Sequence, residues 1–322
     1  MTDSTYPLFS ILAFLGFVLP LIPLPWHLQA MNSGTSYFII WSSLACLNQF
    51  INSIIWAGNA LNTAPIWCEI SIRIMMAASV GIPASSLCIN RRLYRIASIH
   101  SAPVTQAEKR RSVLIDSLIC LLFPVVFVAL QYIVQGHRFN IFEDAGCFPA
   151  LYNTLPTFFI SSMWPLILGL ISAVYCVLTL RLFARRRAEF TQFLSSNTTL
   201  TVSRYFRLMA LSMAEICATT PLSIFTIWVN VKANPVQPWI SWTDTHFNYS
   251  RVEQIPAILW RSDRILSIGI EFTCWVAPVC SFTFFLFFGF AQESRRHYLL
   301  MFSWLKKRLG IFATSRTLKQ TP

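Results

Sequence analysis

The chain has 322 residues, of which 55% are hydrophobic and 12% charged, and its formal net charge at pH 7 is +12. This charged fraction is about half that of an ordinary soluble domain, and a soluble protein this apolar could not cover its surface with polar groups. The composition therefore excludes a soluble globular protein and indicates a membrane protein. Because the basic residues stand between apolar runs, the lipid bilayer surface is their expected partner and nucleic acid is not.

Seven apolar segments are long enough to cross a hydrocarbon core of about 30 Å, which takes roughly 20 helical residues. The predicted spans are Tyr6–Pro25, Ser36–Ala60, Pro65–Ile89, Val113–Val134, Pro156–Phe183, Tyr205–Val231 and Ile265–Phe290. Backbone N–H and C=O groups in lipid must be hydrogen-bonded within their own segment, which favours helices. The sequence does not alternate between apolar and polar residues with the period of two that a membrane β-barrel requires. The sequence therefore predicts an all-α membrane protein, a seven-transmembrane helix bundle over residues 1–290. The first span is expected to be an uncleaved signal anchor, because no basic stretch or cleavage site precedes it.

Residues 291–322 form the predicted tail. Tyr298, Met301, Phe302, Leu305 and Leu309 recur at helical spacing among basic residues. This pattern predicts a short amphipathic helix at about 295–309 that lies on the inner leaflet.

Lys and Arg residues are strongly concentrated on one side of the predicted bundle. They cluster between the third and fourth spans, between the fifth and sixth spans, and in the tail. The positive-inside tendency then places the N-terminus outside and the C-terminus in the cytoplasm. Arg91, Arg92 and Arg95 would end the third span at the cytosolic surface, and the alternative is that they also bind a cytosolic partner.

Cys68 opens the third span and Cys147 lies in the second outer loop. By this topology both cysteines face the oxidising side, where disulfides persist. The sequence predicts a disulfide between them, and the alternative is two unpaired thiols.

Ionisable residues inside a span are expensive in lipid, so each one is a candidate functional residue. Arg73 and Glu271 lie at similar predicted depths, and we expect an intramembrane switch pair between them. The alternative is that the Arg73 side chain extends alone to the membrane surface. Asp116 is near the cytosolic edge, where Arg110 or Arg111 is its expected structural partner.

Two further positions are candidates from local sequence. Pro221 lies within the sixth span and is a candidate kink or hinge, with static packing as the alternative. Asn248 begins an Asn-Tyr-Ser sequon in the third outer loop and is a glycosylation candidate, whereas Asn197 lies on the cytosolic side and should stay unmodified.

Enzymatic motifs are missing from the chain. The spans contain no HExxH, GxSxG, CxxC or Asp-rich pattern, so no catalytic residue, metal or cofactor is expected. A carrier would normally show an internal repeat or several midplane charges, and neither is present. After enzymes and carriers are set aside, the sequence favours a seven-helix sensor protein with a basic cytosolic face.

Four stretches resemble the fungal receptors for lipid-modified a-factor-type mating pheromones, which form class D of the G-protein-coupled receptors. They are NQFINSIIW, PIWCEISIRIMMAASVGIPASSLCINRRLYRIAS, CFPALYNTLP and RRRAEFTQFLSSNTTLTVSRYFRLMALS. The resemblance covers about Tyr6 to Trp304 and is closest to basidiomycete mating-type receptors. It implies a plasma-membrane receptor for a farnesylated peptide that activates a heterotrimeric G protein α subunit and a mating MAP kinase cascade. Many such receptors have a longer tail, which leaves regulation through the tail in doubt.

The resemblance also implies sites on this chain. A cytosolic contact with the G protein would involve Arg91, Arg92, Arg95, Arg185, Arg186, Arg187, Arg204 and Arg207. Ligand specificity is expected in the outer loops, chiefly at Trp239, Trp242, Asp244, Glu253 and Trp260, although an interfacial aromatic belt also explains the tryptophans. The alternative function is a seven-span transporter or lipid-handling protein, and the sequence leaves open whether the chain forms a homodimer.

Overall fold

The computed structural model describes residues 6–98, 105–185, 202–233 and 235–290. The described residues contain seven helices that are long and apolar enough to cross a membrane. We number them span 1 to span 7, with the bounds Leu8–Gln29, Ser33–Ile55, Pro65–Ser98, Gln106–Gln131, Leu155–Arg185, Tyr205–Lys232 and Arg264–Phe288. The predicted all-helical, seven-span fold is therefore confirmed. The helix predicted at about 295–309 lies outside the described residues.

Three of the spans are built from more than one helical segment. Span 1 joins Leu8–Leu21 to Leu24–Gln29. Span 4 joins Gln106–Ser117, the π-helical turn Leu118–Leu122 and Phe123–Gln131. Span 5 joins Leu155–Thr157, the π-helical turn Phe158–Ser162 and Met163–Arg185. A proline lies in or beside each break, because its ring and missing N–H disrupt the regular helical hydrogen bonds.

Neighbouring spans supply hydrogen bonds at these breaks. Pro124 has no N–H to bond the Cys120 carbonyl four residues earlier, and the indole N–H of Trp41 in span 2 donates to that oxygen at 2.8 Å. The Gln131 amide of span 4 likewise donates to the Ile160 carbonyl in the π-helical turn of span 5, at 3.1 Å. Backbone groups that lipid could not solvate are thereby satisfied, and spans 2, 4 and 5 are joined.

Span 3 is the most buried of the seven spans, with 78% of its most apolar window inside the bundle. It packs closely against span 2 because Gly81 has no side chain. A Cβ atom at that position would lie 2.7 Å from the Trp41 ring. Spans 6 and 7 belong to the helices Val202–Ala233 and Arg264–Phe288. The first of these helices continues through Pro221, so the hinge there stays a prediction.

A three-stranded sheet covers one end of the bundle, which we call the sheet end. Strands β1 (Phe139–Phe142), β2 (Gly146–Phe148) and β3 (Val252–Ile255) lie in the order β2-β1-β3. β1 pairs antiparallel with β2 and parallel with β3. The turn before β2 requires Gly146, whose φ is +90° and where a Cβ would lie 2.5 Å from the Cβ of Asn52. The short helices Trp242–Thr245 and Ala257–Trp260 flank β3 in the chain.

Candidate functional site

A disulfide fixes the sheet to the bundle. Cys68 in span 3 and Cys147 in β2 are bonded, as predicted, with their Cα atoms 5.3 Å apart. Both residues are fully buried. Beside them, Asn52 of span 2 accepts a hydrogen bond from the Trp67 indole at 2.8 Å and donates to Ser71 at 3.0 Å. The disulfide therefore holds the second outer loop against span 3, and the Asn52 bonds join spans 2 and 3 beside it.

The intramembrane pair expected between Arg73 and Glu271 is not formed. The Arg73 guanidinium donates to Gln135 at 3.3 Å and lies 3.7 Å from the Glu69 carboxylate. Glu69 also accepts from Arg138 of the second loop at 2.8 Å. Glu271 is exposed on span 7. The prediction was wrong because the Arg73 guanidinium contacts Glu69, one helical turn earlier, and Gln135, and does not pair with Glu271.

The predicted specificity residues differ in their accessibility. Trp239 and Trp242 are 41% and 49% exposed, and Asp244 is also exposed. Glu253 lies on β3 and pairs with Arg251 at 3.1 Å. Trp260 is only 2% exposed. The Trp260 side chain therefore lies in the protein core, and its role in ligand specificity stays a prediction.

Further contacts explain how these outer-loop residues are held. The Trp260 indole donates to the Glu143 carbonyl at 3.2 Å, which joins the third outer loop to the β1–β2 turn. The Trp242 ring stacks on His246 with a centroid distance of 4.1 Å. Asn248, the glycosylation candidate, is exposed and has a φ of +52°. Trp242 and Asn248 thus lie on the accessible part of the loop, whereas Trp260 anchors it.

The other end of the bundle carries the predicted cytosolic arginines, and we call it the arginine end. Arg91 of span 3 donates to Asp116 of span 4 at 2.6 Å, and the Ser33 hydroxyl of span 2 donates to the same carboxylate. Asp116 is 2% exposed. The expected pairing of Asp116 with Arg110 or Arg111 is wrong, because Arg91 bonds the carboxylate and both of those arginines are exposed.

The remaining predicted G-protein contacts at this end have varied surroundings. Arg92 donates to the Met31 carbonyl at 2.8 Å, and the Arg207 guanidinium lies 5.9 Å from the Phe288 ring centroid. Arg95 and Arg185 are exposed. The side chain of Arg204 and the whole of Arg186 and Arg187 lie outside the described part of the chain. Arg91 and Arg92 thus bond within the bundle, while Arg95 and Arg185 face outward.

A buried polar cluster that the sequence reading missed joins three spans. The Asn90 amide of span 3 donates to the Ser172 hydroxyl of span 5 at 2.8 Å. The Ser212 hydroxyl of span 6 donates to the Asn90 carbonyl oxygen, also at 2.8 Å. All three residues are at most 1% exposed. Uncharged polar residues within apolar runs were the available signal, since such side chains bond across helices in membranes. We call these three residues the Asn90 cluster.

Within the described ranges, no three His, Cys, Asp or Glu side chains group closely enough to hold a metal ion.

Comparison with known proteins identifies the family. Residues 8–309 match the model of the family described as pheromone A receptor. The chain is 57% identical over 100% of its length to the pheromone B alpha 3 receptor of Schizophyllum commune, covering 51% of that protein. It is 32% identical over 92% of its length to pheromone receptor 1 of Mycosarcoma maydis, covering 83% of that protein. The pheromone a factor receptor of Saccharomyces cerevisiae is 25% identical over 89% of the chain, which covers 60% of it. The chain spans about half the length of the Schizophyllum relatives it matches, and it belongs to the pheromone A receptor family.

Proposed function

We propose that the chain is a G-protein-coupled receptor, without enzymatic activity, for a secreted farnesylated peptide mating pheromone. Ligand binding would activate a heterotrimeric G protein α subunit and a mating MAP kinase cascade. The family match over a seven-span bundle carries this proposal, because a receptor of this kind must expose two chemically different ends. Here one end presents a disulfide-tied sheet and the other presents arginines.

The proposed orientation in the plasma membrane puts the sheet end outside and the arginine end in the cytoplasm. Two independent features support it. Disulfides persist on the oxidising side of a membrane, and the Cys68–Cys147 bond lies at the sheet end. Arginines and lysines concentrate near cytoplasmic span ends, as they do at the arginine end. An epitope tag after Pro322 should be inaccessible to antibody on intact cells and accessible after permeabilisation.

The farnesyl chain and the peptide part of the ligand are expected to contribute differently to binding. A farnesyl chain has about 15 carbons, and at about 0.8 kcal/mol for each buried methylene it supplies on the order of 10 kcal/mol of membrane partitioning. Because this free energy needs no receptor contact, the lipid concentrates the ligand at the membrane without identifying it. We therefore assign allelic specificity to the peptide part and to the accessible outer-loop residues Trp239, Trp242, Asp244 and Glu253.

Exchange of the third outer loop tests this assignment. Residues 233–263 would be replaced by the corresponding loop of a receptor with a different pheromone preference. Preference should follow the transplanted loop, and an unchanged preference would place the discriminating contacts elsewhere. Surface expression of each chimera is the necessary control, because Trp260 anchors this loop to the β1–β2 turn.

We assign the G-protein contact to the arginine end, with Arg95 and Arg185 as the exposed described residues. Replacing both with glutamine should reduce coupling without reducing pheromone binding, since neither side chain approaches the sheet end. Measurement of pheromone-dependent nucleotide exchange on a co-expressed α subunit would detect the loss.

The competing proposal is a transporter or lipid-handling protein that does not couple to a G protein. A panel of synthetic farnesylated peptides, applied to the chain in a yeast reporter strain, distinguishes the two. A receptor raises nucleotide exchange on the α subunit with at least one peptide of the panel. Movement of lipid or solute without any such exchange would favour the alternative.

A further inference from the structure

The sheet has two edge strands, β2 and β3, and β2 is the one bonded to span 3 through the disulfide. β3 is the last strand in the order β2-β1-β3. The Glu143 N–H donates to the Ile255 carbonyl at 3.0 Å, so the backbone groups of Ile255 point toward β1. Because alternate residues direct these groups to opposite edges, Glu253 also faces β1. Val252 and Gln254 therefore direct their N–H and C=O groups away from the sheet.

We infer that this edge of β3 binds the peptide part of the pheromone as an added strand. The inference rests on the proposed function and names the surface that receives the ligand. Strand addition draws affinity from main-chain hydrogen bonds and specificity from alternate side chains. Val252 and Gln254 supply two donors and two acceptors in the required alternation, within a parallel strand pair whose register is already set.

The edge is held in place before any ligand arrives. β3 pairs with β1 along all four of its residues, and β1 pairs with β2, which carries the disulfide to span 3. At the C-terminal end of β3, the Ala257 N–H donates to the Glu143 carboxylate at 2.6 Å, which fixes the chain as it leaves the strand. A preorganised edge reduces the ordering penalty that an extended peptide must overcome on binding.

The charges beside the edge favour a polar peptide over a lipid chain. Gln254 is exposed, and Glu253 and Arg251 form an ion pair that is about half exposed. His137 lies 4.0 Å from the Glu253 carboxylate. An acyl or prenyl chain would remove water from this ion pair and from the outward backbone groups without bonding either, whereas a peptide strand can bond the backbone groups.

The length of the edge favours a membrane-bound ligand over a second copy of the chain. Four residues are too few to form an interface of the roughly 1,200 Å² or more that stable protein pairs bury. A lipidated peptide is already concentrated at the membrane surface, so a few added hydrogen bonds are enough to select and orient it. The chain then runs from β3 through the helix Ala257–Trp260 into span 7, which connects the occupied edge to the bundle.

The first test compares Gln254→Pro with Gln254→Ala. Proline is tolerated at the outward-facing position of an edge strand but removes the N–H that we assign to the ligand. The probe is the most active peptide of the synthetic farnesylated panel, and the measurement is its half-maximal concentration in the reporter strain. Proline should raise this concentration about tenfold, and alanine should raise it by less than about threefold. Equal responses of the two variants, at matched surface levels, would overturn the inference.

A second test leaves the receptor unchanged and covers the case in which Gln254→Pro fails to reach the surface. Each backbone nitrogen of the same peptide is methylated in turn, and potency is measured on the wild-type chain. Strand addition predicts an alternating pattern, in which every second methylation lowers potency about tenfold. A uniform effect, or none, would overturn the inference while the unmethylated peptide still activates and the proposed function stands.

A third measurement excludes a second copy of the chain as the occupant. Energy transfer between two differently tagged copies should be the same for wild type and Gln254→Pro. A loss of transfer with unchanged peptide potency would assign the edge to self-association and overturn the inference. If no farnesylated peptide activates the wild-type chain, the proposed function fails, and this inference fails with it.

Discussion

Replacing Asn90 with leucine should raise signalling in the absence of pheromone. Asn90 makes one bond to Ser172 and one to Ser212, so leucine, of similar volume, removes both links between span 3 and spans 5 and 6. Interhelical side-chain bonds in membranes average about 0.6 kcal/mol, so the loss is about 1.2 kcal/mol. If a partner binds a conformation in which these spans separate, the populated fraction of that conformation rises about sevenfold.

The assay is reporter output without ligand, divided by the amount of receptor at the cell surface. Ser172→Ala and Ser212→Ala each remove one bond and should each give about a threefold increase. Replacing Thr179, which bonds only the Tyr175 carbonyl in its own span, is the matched control and should change nothing. Basal output of the leucine variant equal to that of wild type would refute a restraining role for the Asn90 cluster.

Three stability predictions follow from individual contacts. Asp116→Ala leaves the Arg91 guanidinium without its buried partner and should lower the free energy of unfolding by about 3–5 kcal/mol. The loss should appear as a lower melting temperature in detergent. Arg110→Ala is the control and should change the melting temperature little, because that side chain is exposed. Cys68→Ser opens a bond across 79 residues and should cost on the order of 4 kcal/mol, and reductant should then no longer lower the melting temperature. Gly81→Leu forces a side chain into the indole ring packed there and should cost about 1–3 kcal/mol, with a reduced yield of folded receptor as the readout.

Hydropathy and compartment chemistry were sufficient to predict the bundle and its disulfide. Apolar run lengths predicted seven spans, because lipid requires each segment to satisfy its own backbone. The Cys68–Cys147 bond followed from both residues lying on the same side of the membrane. The helix of the third span continues to Ser98, past the predicted end of the span at Ile89. A buried partner, Asp116, stabilises Arg91, which charge counting along one segment could not reveal.

Contacts that depend on rotation about a helix axis were not predictable in the same way. Depth along a span placed Arg73 and Glu271 at one height, but depth does not determine which neighbour each side chain faces. The spacing of Glu69 and Arg73, four residues apart on one helix, was a signal for the pair that the structure contains. The pairing of β1 with β3 joins two distant loops through backbone groups, and backbone bonds leave almost no trace in side-chain identity.

The contacts that link span 3 to spans 4 and 6 differ in strength. Spans 2, 3 and 4 are joined at the arginine end by Ser33, Arg91 and Asp116, and the disulfide ties span 3 to β2 at the other end. Span 6 is linked to span 3 through the buried hydrogen bond between Ser212 and Asn90. Separating span 6 from span 3 breaks this uncharged bond, whereas separating span 3 from span 4 breaks the buried ionic contact between Arg91 and Asp116. An uncharged interhelical bond averages about 0.6 kcal/mol, and breaking a buried ion pair costs about 3–5 kcal/mol, so the link through Ser212 is the weaker of the two and the one that a ligand can break at lower cost.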